Sequence, residues 1–376
     1  MVEIKEVIDK KGFLDFVKFP FKLYKNSKYW VPPIIKDELE TFDKTVNPAF
    51  LSADAKFYLA YKNSEVIGRV AAIINWNEVN KQAKKKVRFG WFDFVDDIEV
   101  SASLLEKVFE FGKENNLEHA EGPMGFSNLD KVGVLTEGFD HIGSMITWYN
   151  YPYYKDHLEK LGFRVEKQYL EQKFPFSNVK TEFFIKAQEL VKRRYQLKAI
   201  NFKKTEEVMP YVDKMFDLFN ETYSKLASFT EITDIQKAYF KKKYISFINP
   251  EYIKYVEDKD QNLVAFSIVM PSFSKALQKA KGKLFPFGFI HLLKAKKSKD
   301  VLFYLIGVHP DYQNKGVTAI IFNEYYHTFK KNKIINCIRT PELAENMAIQ
   351  NMWKHFDPVV YKKRNTYIKD LKEGVS

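Results

Sequence analysis

At 376 residues the chain is long enough for two domains with separate cores, and its 34 phenylalanines and 22 tyrosines supply bulky material for both. Its one cysteine, Cys337, excludes an internal disulfide and the seven histidines show no ligand spacing, so no metal is expected and a reducing cytoplasm is the expected compartment. The net charge of +12 is concentrated in 275–299, which holds eight lysines and no acid; with no base-stacking motif elsewhere, nucleic acid is not an expected partner.

No apolar run reaches the length of a membrane-spanning helix. The start alternates charge and apolar side chains and reads as an edge strand over 3–9, not a signal peptide. A helix over 13–24 is expected to be interrupted near Pro20, an extended stretch covers 29–33, and a polar helix covers 36–42. Strands 56–62 and 66–74 flank a hairpin turn at Asn63-Ser-Glu65, and 87–94 is a further strand. Asp96 and Asp97 cap a helix that turns Leu104, Leu105, Val108 and Phe111 inward. A strand at 119–126, a glycine-containing loop, a helix at 153–161 closed by Gly162 and a strand at 163–174 finish this unit.

A helix at 181–194 links to a second unit in which the order repeats. It contains a strand at 196–202, a helix capped by Thr205, another over 233–246, and strands 253–256 and 263–269 around Asp258-Lys-Asp260. The continuous apolar run 301–308 reads as a strand covered on both faces, and Pro310 should stop it. Ala319, Phe322, Tyr326 and Phe329 then mark one face of a helix whose first turn contains Gly316. A strand at 333–340, a helix at 346–356 and a last strand at 359–368 complete the chain. The order β–α–α–β–β–β–α–β–α–β thus appears twice, with insertions near 128–148 in the first copy and 275–299 in the second.

A buried strand entering a helix through a short polar loop gathers unpaired N–H groups at a dipole's positive end, which suits a diphosphate. The loop Gln313-Asn-Lys-Gly316-Val-Thr318 resembles the Q/R-x-x-G-x-G/A signature with which GNAT-superfamily acyltransferases hold the pyrophosphate of acyl-coenzyme A, and Val308-His309-Pro310 matches the strand end that precedes it. Thr318 departs from the usual Gly or Ala. The segments Glu121-Gly-Pro-Met-Gly-Phe-Ser127, Glu137-Gly-Phe-Asp140 and Tyr149-Asn-Tyr-Pro-Tyr-Tyr154 are similar to those of a group of bacterial two-domain GNAT-like proteins without a settled substrate.

The resemblance implies an α/β (α+β) architecture of two tandem GNAT-like domains, each a mixed, mostly antiparallel central sheet with helices on both faces. The expected division is a degenerate domain at 1–178, a linking helix at 179–195 and an acyl-CoA-binding domain at 196–376. It also implies an N-acyltransferase using acetyl-CoA or another acyl-CoA on a small-molecule or peptide amine; the alternative is a non-catalytic acyl-CoA-binding or scaffold protein. Its cofactor contacts map onto Ile306, Gly307, Val308, Gln313, Asn314, Lys315, Gly316, Val317, Thr318, Asn346 and Trp353. Gly307 suggests either a bulge presenting an N–H to the thioester or mere room for a neighbour. Trp353 stands where the family's tyrosine acid is expected and cannot titrate near neutrality, so a core residue is the plainer reading. His309 and Glu345 are the candidate bases, though a surface histidine and a first-turn helix acid are the plainer readings.

In the first unit, Val95-Asp-Asp-Ile-Glu-Val100 replaces the glycine loop, and its three acids would repel a diphosphate. Its inserted loop carries Asn128, Asp130, Glu137 and Asp140, which are expected to face an acceptor cleft. The insertion Leu284-Phe-Pro-Phe-Gly-Phe-Ile-His-Leu-Leu293 has an apolar centre and basic flanks. It suits a helical flap packed on the other domain; peripheral membrane contact through 284–299 is the less favoured arrangement.

Overall fold

The computed structural model describes residues 1–127, 129–224, 229–245 and 248–374. The first half runs β1 (Glu3–Glu6), α1 (Lys10–Leu23), α2 (Ile35–Phe42), β2 (Ala53–Lys62), β3 (Glu65–Asn75), α3 (Trp76–Gln82), β4 (Lys86–Phe94), α4 (Ile98–Glu114), β5 (His119–Gly122), β6 (Val134–Glu137), α5 (Tyr153–Lys160) and β7 (Arg164–Pro175). After α6 (Glu182–Tyr195) come β8 (Lys198–Asn201), α7 (Thr205–Val208), α8 (Val212–Tyr223), α9 (Asp234–Tyr244), β9 (Ile253–Glu257), β10 (Leu263–Pro271), α10 (Ser274–Ala280) and α11 (Gly288–Ala295). The chain closes with β11 (Asp300–Val308), α12 (Thr318–Asn332), β12 (Asn336–Arg339), β13 (Glu342–Leu343), α13 (Met347–Trp353) and β14 (Val359–Asp370).

Helices cover both faces of a mixed, mostly antiparallel sheet. Along β2, Tyr58 and Ala60 face the layer of α4 while Phe57 and Leu59 face α1 and α2, the alternation a strand covered on both sides requires. In the second half, Val317, Ile320 and Phe329 of the α12 layer pack on Val264, Val301 and Phe303, and Val212, Met215 and Phe219 of α8 cover Tyr255, Phe266 and Ile268 on the other face. Contrary to expectation, α1 is not interrupted at Pro20. Proline withholds one helical N–H, and the Phe16 carbonyl it would have served accepts from the Arg69 guanidinium at 2.8 Å.

The two halves share one 14-stranded sheet, ordered β1-β2-β3-β4-β5-β14-β7-β12-β11-β10-β9-β8, with β6 and β13 attached at its centre. The last strand of each half therefore lies beside the other half. Tyr367 of β14 pairs with Gly122 of β5, and Cys337 of β12 pairs with Phe174 of β7. Between them, buried Arg364 meets buried Glu171, and Lys362 Nζ donates to the Ile142 carbonyl at 2.7 Å. The Arg364–Glu171 pair forms only when β7 and β14 are side by side.

Candidate active site

The site begins where two parallel strands part. β11 and β12 stay in register from Asp300↔Asn336 to Phe303↔Arg339, and their last bond runs from the Thr340 N–H to the Phe303 carbonyl at 3.4 Å. Pro341 cannot donate to the ladder, and β13 turns away to pair with β7 at Leu170 and Tyr169. On the other edge of β11, Leu305 opposes Ile268 while Phe303 opposes Val269, so Tyr304 is the extra residue of a bulge. The bulge thus falls at Tyr304 and not at Gly307. Gly307 pairs regularly with Phe266, and a Cβ on it would lie 2.4 Å from that ring. Its missing side chain makes room for the phenylalanine.

Beyond the bulge one edge of β11 is open. The Ile306 carbonyl accepts from Tyr223 Oη and the Val308 carbonyl from Gln313 Nε2, both at 3.1 Å. In an antiparallel strand one residue's N–H and C=O point the same way, so the Ile306 and Val308 N–H groups face this edge too.

The following loop supplies a second set of donors. Asn314 and Gly316 adopt positive φ (58° and 77°), which curls the chain into α12, and Val317 offers α12 no side-chain cap. Among the described residues, the N–H groups of Asn314, Gly316, Val317 and Thr318 have no acceptor. Four free donors at a helix start form a concave anion seat. Lys315 turns away from it, its ammonium lying 5.3 Å from the Tyr195 ring centre and 5.5 Å from that of Tyr312.

Loop and open edge border a single cleft of about 1180 Å³ that extends between the two halves. Ile306, Gly307, Val308, Gln313, Asn314, Gly316, Val317, Thr318, Asn346 and Trp353 all line it, together with Asp130 from the first half. Asn346 caps α13 through its side chain, 3.3 Å from the Ile349 N–H. Trp353 is buried against Phe303 (4.7 Å between ring centres) and Phe322 (5.1 Å), with the Arg339 guanidinium over its ring. It forms the floor.

His309 and Glu345 do not border the cleft. His309 Nδ1 accepts from the Asp311 N–H at 3.2 Å, which puts the proton on Nε2, 3.1 Å from Glu221. Glu345 is exposed and pairs with Lys167 at 2.7 Å. Glu137 pairs with Lys363 at 3.0 Å, and Asp140 is exposed beside His141, 3.9 Å away. Asn128 lies outside the described residues.

Several lining groups were not evident from the sequence, although Asp130 was among the residues expected at the cleft. Burial raises the Glu342 carboxyl against the pull of Arg339, its partner three residues earlier. Burial also pushes the phenols of Tyr223 and Tyr304 well above their ordinary range, keeping both protonated. Asp130, raised by burial, takes the Ser127 N–H at 2.8 Å and its hydroxyl at 3.1 Å. Lys86, Arg88 and Glu121 approach from β4 and β5. Lys86 bridges Glu121 at 2.7 Å and Glu78 at 3.3 Å, and Arg88 holds Glu78 at 2.8 Å. A strand-length apolar run shows only that Tyr304 is buried, and no local pattern marks a carboxylate at a strand corner.

The first half has the same parting of strands without the slot. β4 and β5 run parallel to Arg88↔Glu121 and then separate. Here Asp93 is held by Arg69 at 2.7 Å and by Tyr24 Oη at 2.7 Å, and Tyr154 Oη accepts the edge N–H of Phe94 at 3.2 Å. Asp97 caps α4 by accepting from the Glu99 N–H at 3.1 Å, and Asp96 contacts His157 at 3.0 Å. Of the donors that the second half leaves free, the counterparts at Glu99 and Val100 are here taken by Asp97, and the edge N–H of Phe94 by Tyr154.

No protein-family model matches the chain. It is 23% identical to Protein YghO of Escherichia coli (strain K12) over 98% of this chain and 95% of that protein. It is also 23% identical to a bacterial ceramide synthase of Caulobacter vibrioides over 79% of this chain and 78% of that one. Among solved structures it is similar to a tandem GNAT protein from the clavulanic acid biosynthesis pathway (TM-score 0.58, 7% identity, 99% of both chains). It is also similar to a GCN5-related N-acetyltransferase from Sphaerobacter thermophilus (TM-score 0.53, 6% identity, 98% of this chain and 96% of that one).

Proposed function

We propose that this chain, which has the tandem GNAT fold, transfers an acyl group from acyl-CoA to an amine in the cleft between its halves. The observation that carries the reading is the set of four free N–H groups at Asn314–Thr318, opening onto the same cleft as the unpaired edge of β11. The diphosphate sits on those donors, and the pantetheine arm runs along Ile306 and Val308, whose N–H groups bond it as a strand would. The thioester then lies where β11 and β12 part. The amine nitrogen attacks the thioester carbonyl, the C–N bond forms, the C–S bond breaks, and the thiolate leaves.

Two protons must move. Glu342, whose carboxyl burial raises above its ordinary value, takes the proton the amine sheds. Tyr223, protonated and hydrogen-bonded to the Ile306 carbonyl, is the phenol available to the leaving thiolate, since Trp353 supplies no acid. Holding both reactants replaces a bimolecular encounter by an oriented one, worth up to roughly 7–11 kcal/mol.

Similarity to a ceramide synthase favours a long-chain amino alcohol as acceptor and a fatty acyl donor over acetyl, a ceramide being the amide of those two components. Incubating the purified chain with acetyl- to stearoyl-CoA and short or long-chain amines, with thiol release and mass spectrometry of the amide, tests this. Amide formed only from long partners supports it. Acyl-CoA binding without amide would identify a carrier or scaffold, and absence of both overturns the assignment.

A further inference from the structure

We infer that the hairpin of α10 and α11 docks the protein on a bilayer containing anionic lipid. One face of the hairpin does what a soluble element should: Leu284, Leu292 and Ala295 pack with Phe273, Leu277 and Ala280 against Val31 and Ile34 of the first half. The other face is also apolar and, among the described residues, is left uncovered. Phe285 is 77% exposed, Phe287 67% and Leu293 56%, and Phe289 and Ile290 are exposed beside them. The Phe285 and Phe289 rings lie 5.8 Å apart. A short helix that is apolar on both sides but covered on one meets either water, at a cost, or an apolar phase.

The surrounding charge selects the phase. The segment 275–299 has eight lysines and no acid. Next to the patch, a cavity of about 680 Å³ between the halves is lined by Lys173, Lys275, Lys279, Lys294, His141 and His291, with Asp300 as its carboxylate. Asp300 is engaged by the Asn336 side-chain amide at 2.7 Å. An exposed apolar face within a lysine-rich segment, beside a basic recess, matches the depth profile of a bilayer, with acyl chains below and phosphates above. A protein partner of acidic surface would satisfy the lysines and leave the phenylalanines in water. The inference is independent of the acyl transfer proposed above.

The test is co-sedimentation of the full chain with vesicles of phosphatidylcholine alone or mixed with phosphatidylglycerol, at low and high salt. The expected result is salt-sensitive binding to the mixed vesicles and at least tenfold weaker binding to phosphatidylcholine. Neutralising Lys275→Gln, Lys279→Gln and Lys294→Gln together should weaken binding about hundredfold, at about fivefold per charge. Phe285→Ser with Phe287→Ser should weaken it by more than about tenfold. Both sets lie on the surface, so the unfolding midpoint and CoA binding should be unchanged, which separates this outcome from failure of the active-site assignment. No binding to phosphatidylglycerol vesicles, binding indifferent to both sets, or a dimer that the phenylalanine variants dissociate without any vesicle binding would overturn the inference.

Discussion

Replacing Gly316 by aspartate, read against asparagine, isolates the charge requirement of the loop. Gly316 has φ of 77°, and a Cβ there would meet only Val191 Cγ2 at 3.3 Å. Asn and Asp tolerate that backbone region best among residues with side chains, so both variants should fold, at a cost of roughly 1 kcal/mol or less. Their side chains have nearly the same shape and differ by one charge. An aspartate at 316 would sit within reach of the free N–H groups of Asn314, Gly316, Val317 and Thr318, about 5 Å from a bound diphosphate. At an effective dielectric of about 20 each pair of like charges there costs roughly 3 kcal/mol, somewhat less in salt. Gly316→Asp should therefore bind CoA at least about a hundredfold more weakly than Gly316→Asn. Calorimetric titration of parent and both variants at two salt concentrations reads this directly, and the gap should shrink at high salt. Equal losses in the two variants, or unchanged affinity in both, would mean that the diphosphate lies elsewhere.

Calorimetry of the parent should give one CoA per chain, because Asp96, Asp97 and Glu99 put negative charge at the equivalent helix start and Asp97 and Tyr154 take the Glu99 and Phe94 N–H groups; two sites would refute that. Trp353→Phe should change turnover by less than about tenfold while lowering stability by roughly 1–2 kcal/mol, whereas a thousandfold loss of thiol release would give Trp353 a direct part in positioning the cofactor. Glu342→Gln should remove the acidic limb of the pH profile of kcat/KM, and Tyr223→Phe should lower kcat by about a hundredfold with little change in KM; a pH profile identical to the parent's rules Glu342 out as the base. Glu78 is buried, which alone would raise its pKa, but Arg88 and Lys86 prevail and hold it down at about 2. A depressed carboxylate stabilises above its unfolded value, near 4.5, and loses that contribution as pH falls toward 2. Denaturant midpoints should show about 3 kcal/mol lost over that window in the parent and not in Glu78→Gln; parallel curves would refute the assignment.

Much of the fold is written in local pattern. Pro310 does end a strand, the spacing of Ala319, Phe322 and Phe329 does mark the buried side of α12, and Asp97 does cap α4. These depend on neighbours within a few residues. What periodicity cannot carry is pairing between distant strands, and the shared sheet is such a case: nothing near Arg364 indicates that its partner is Glu171. The site divides the same way. The loop could be found because backbone conformation leaves a trace in glycine placement, as at Gly316. The bulge left none at Tyr304, since any apolar residue can occupy it. Lys315, drawn toward Tyr195 and Tyr312, shows the limit of reading charge from position: which way a flexible side chain points is set by rings far away in sequence.

The interleaving of β7 and β14 has a consequence for the order in which the protein is made. On the ribosome the N-terminal half is released long before residues 359–370, yet β5 has its outer neighbour only when Tyr367 arrives to pair with Gly122. Until then the edge of β5 is an unpaired ladder of N–H and C=O groups, the kind of edge that recruits strands from other chains. β7 waits in the same way, since its partners in β12 and β14 are made more than 150 residues later. The nascent chain thus carries an incomplete sheet until β14 emerges, and that strand acts as the clasp. Loss of β14 would be felt first in the half of the protein made earliest.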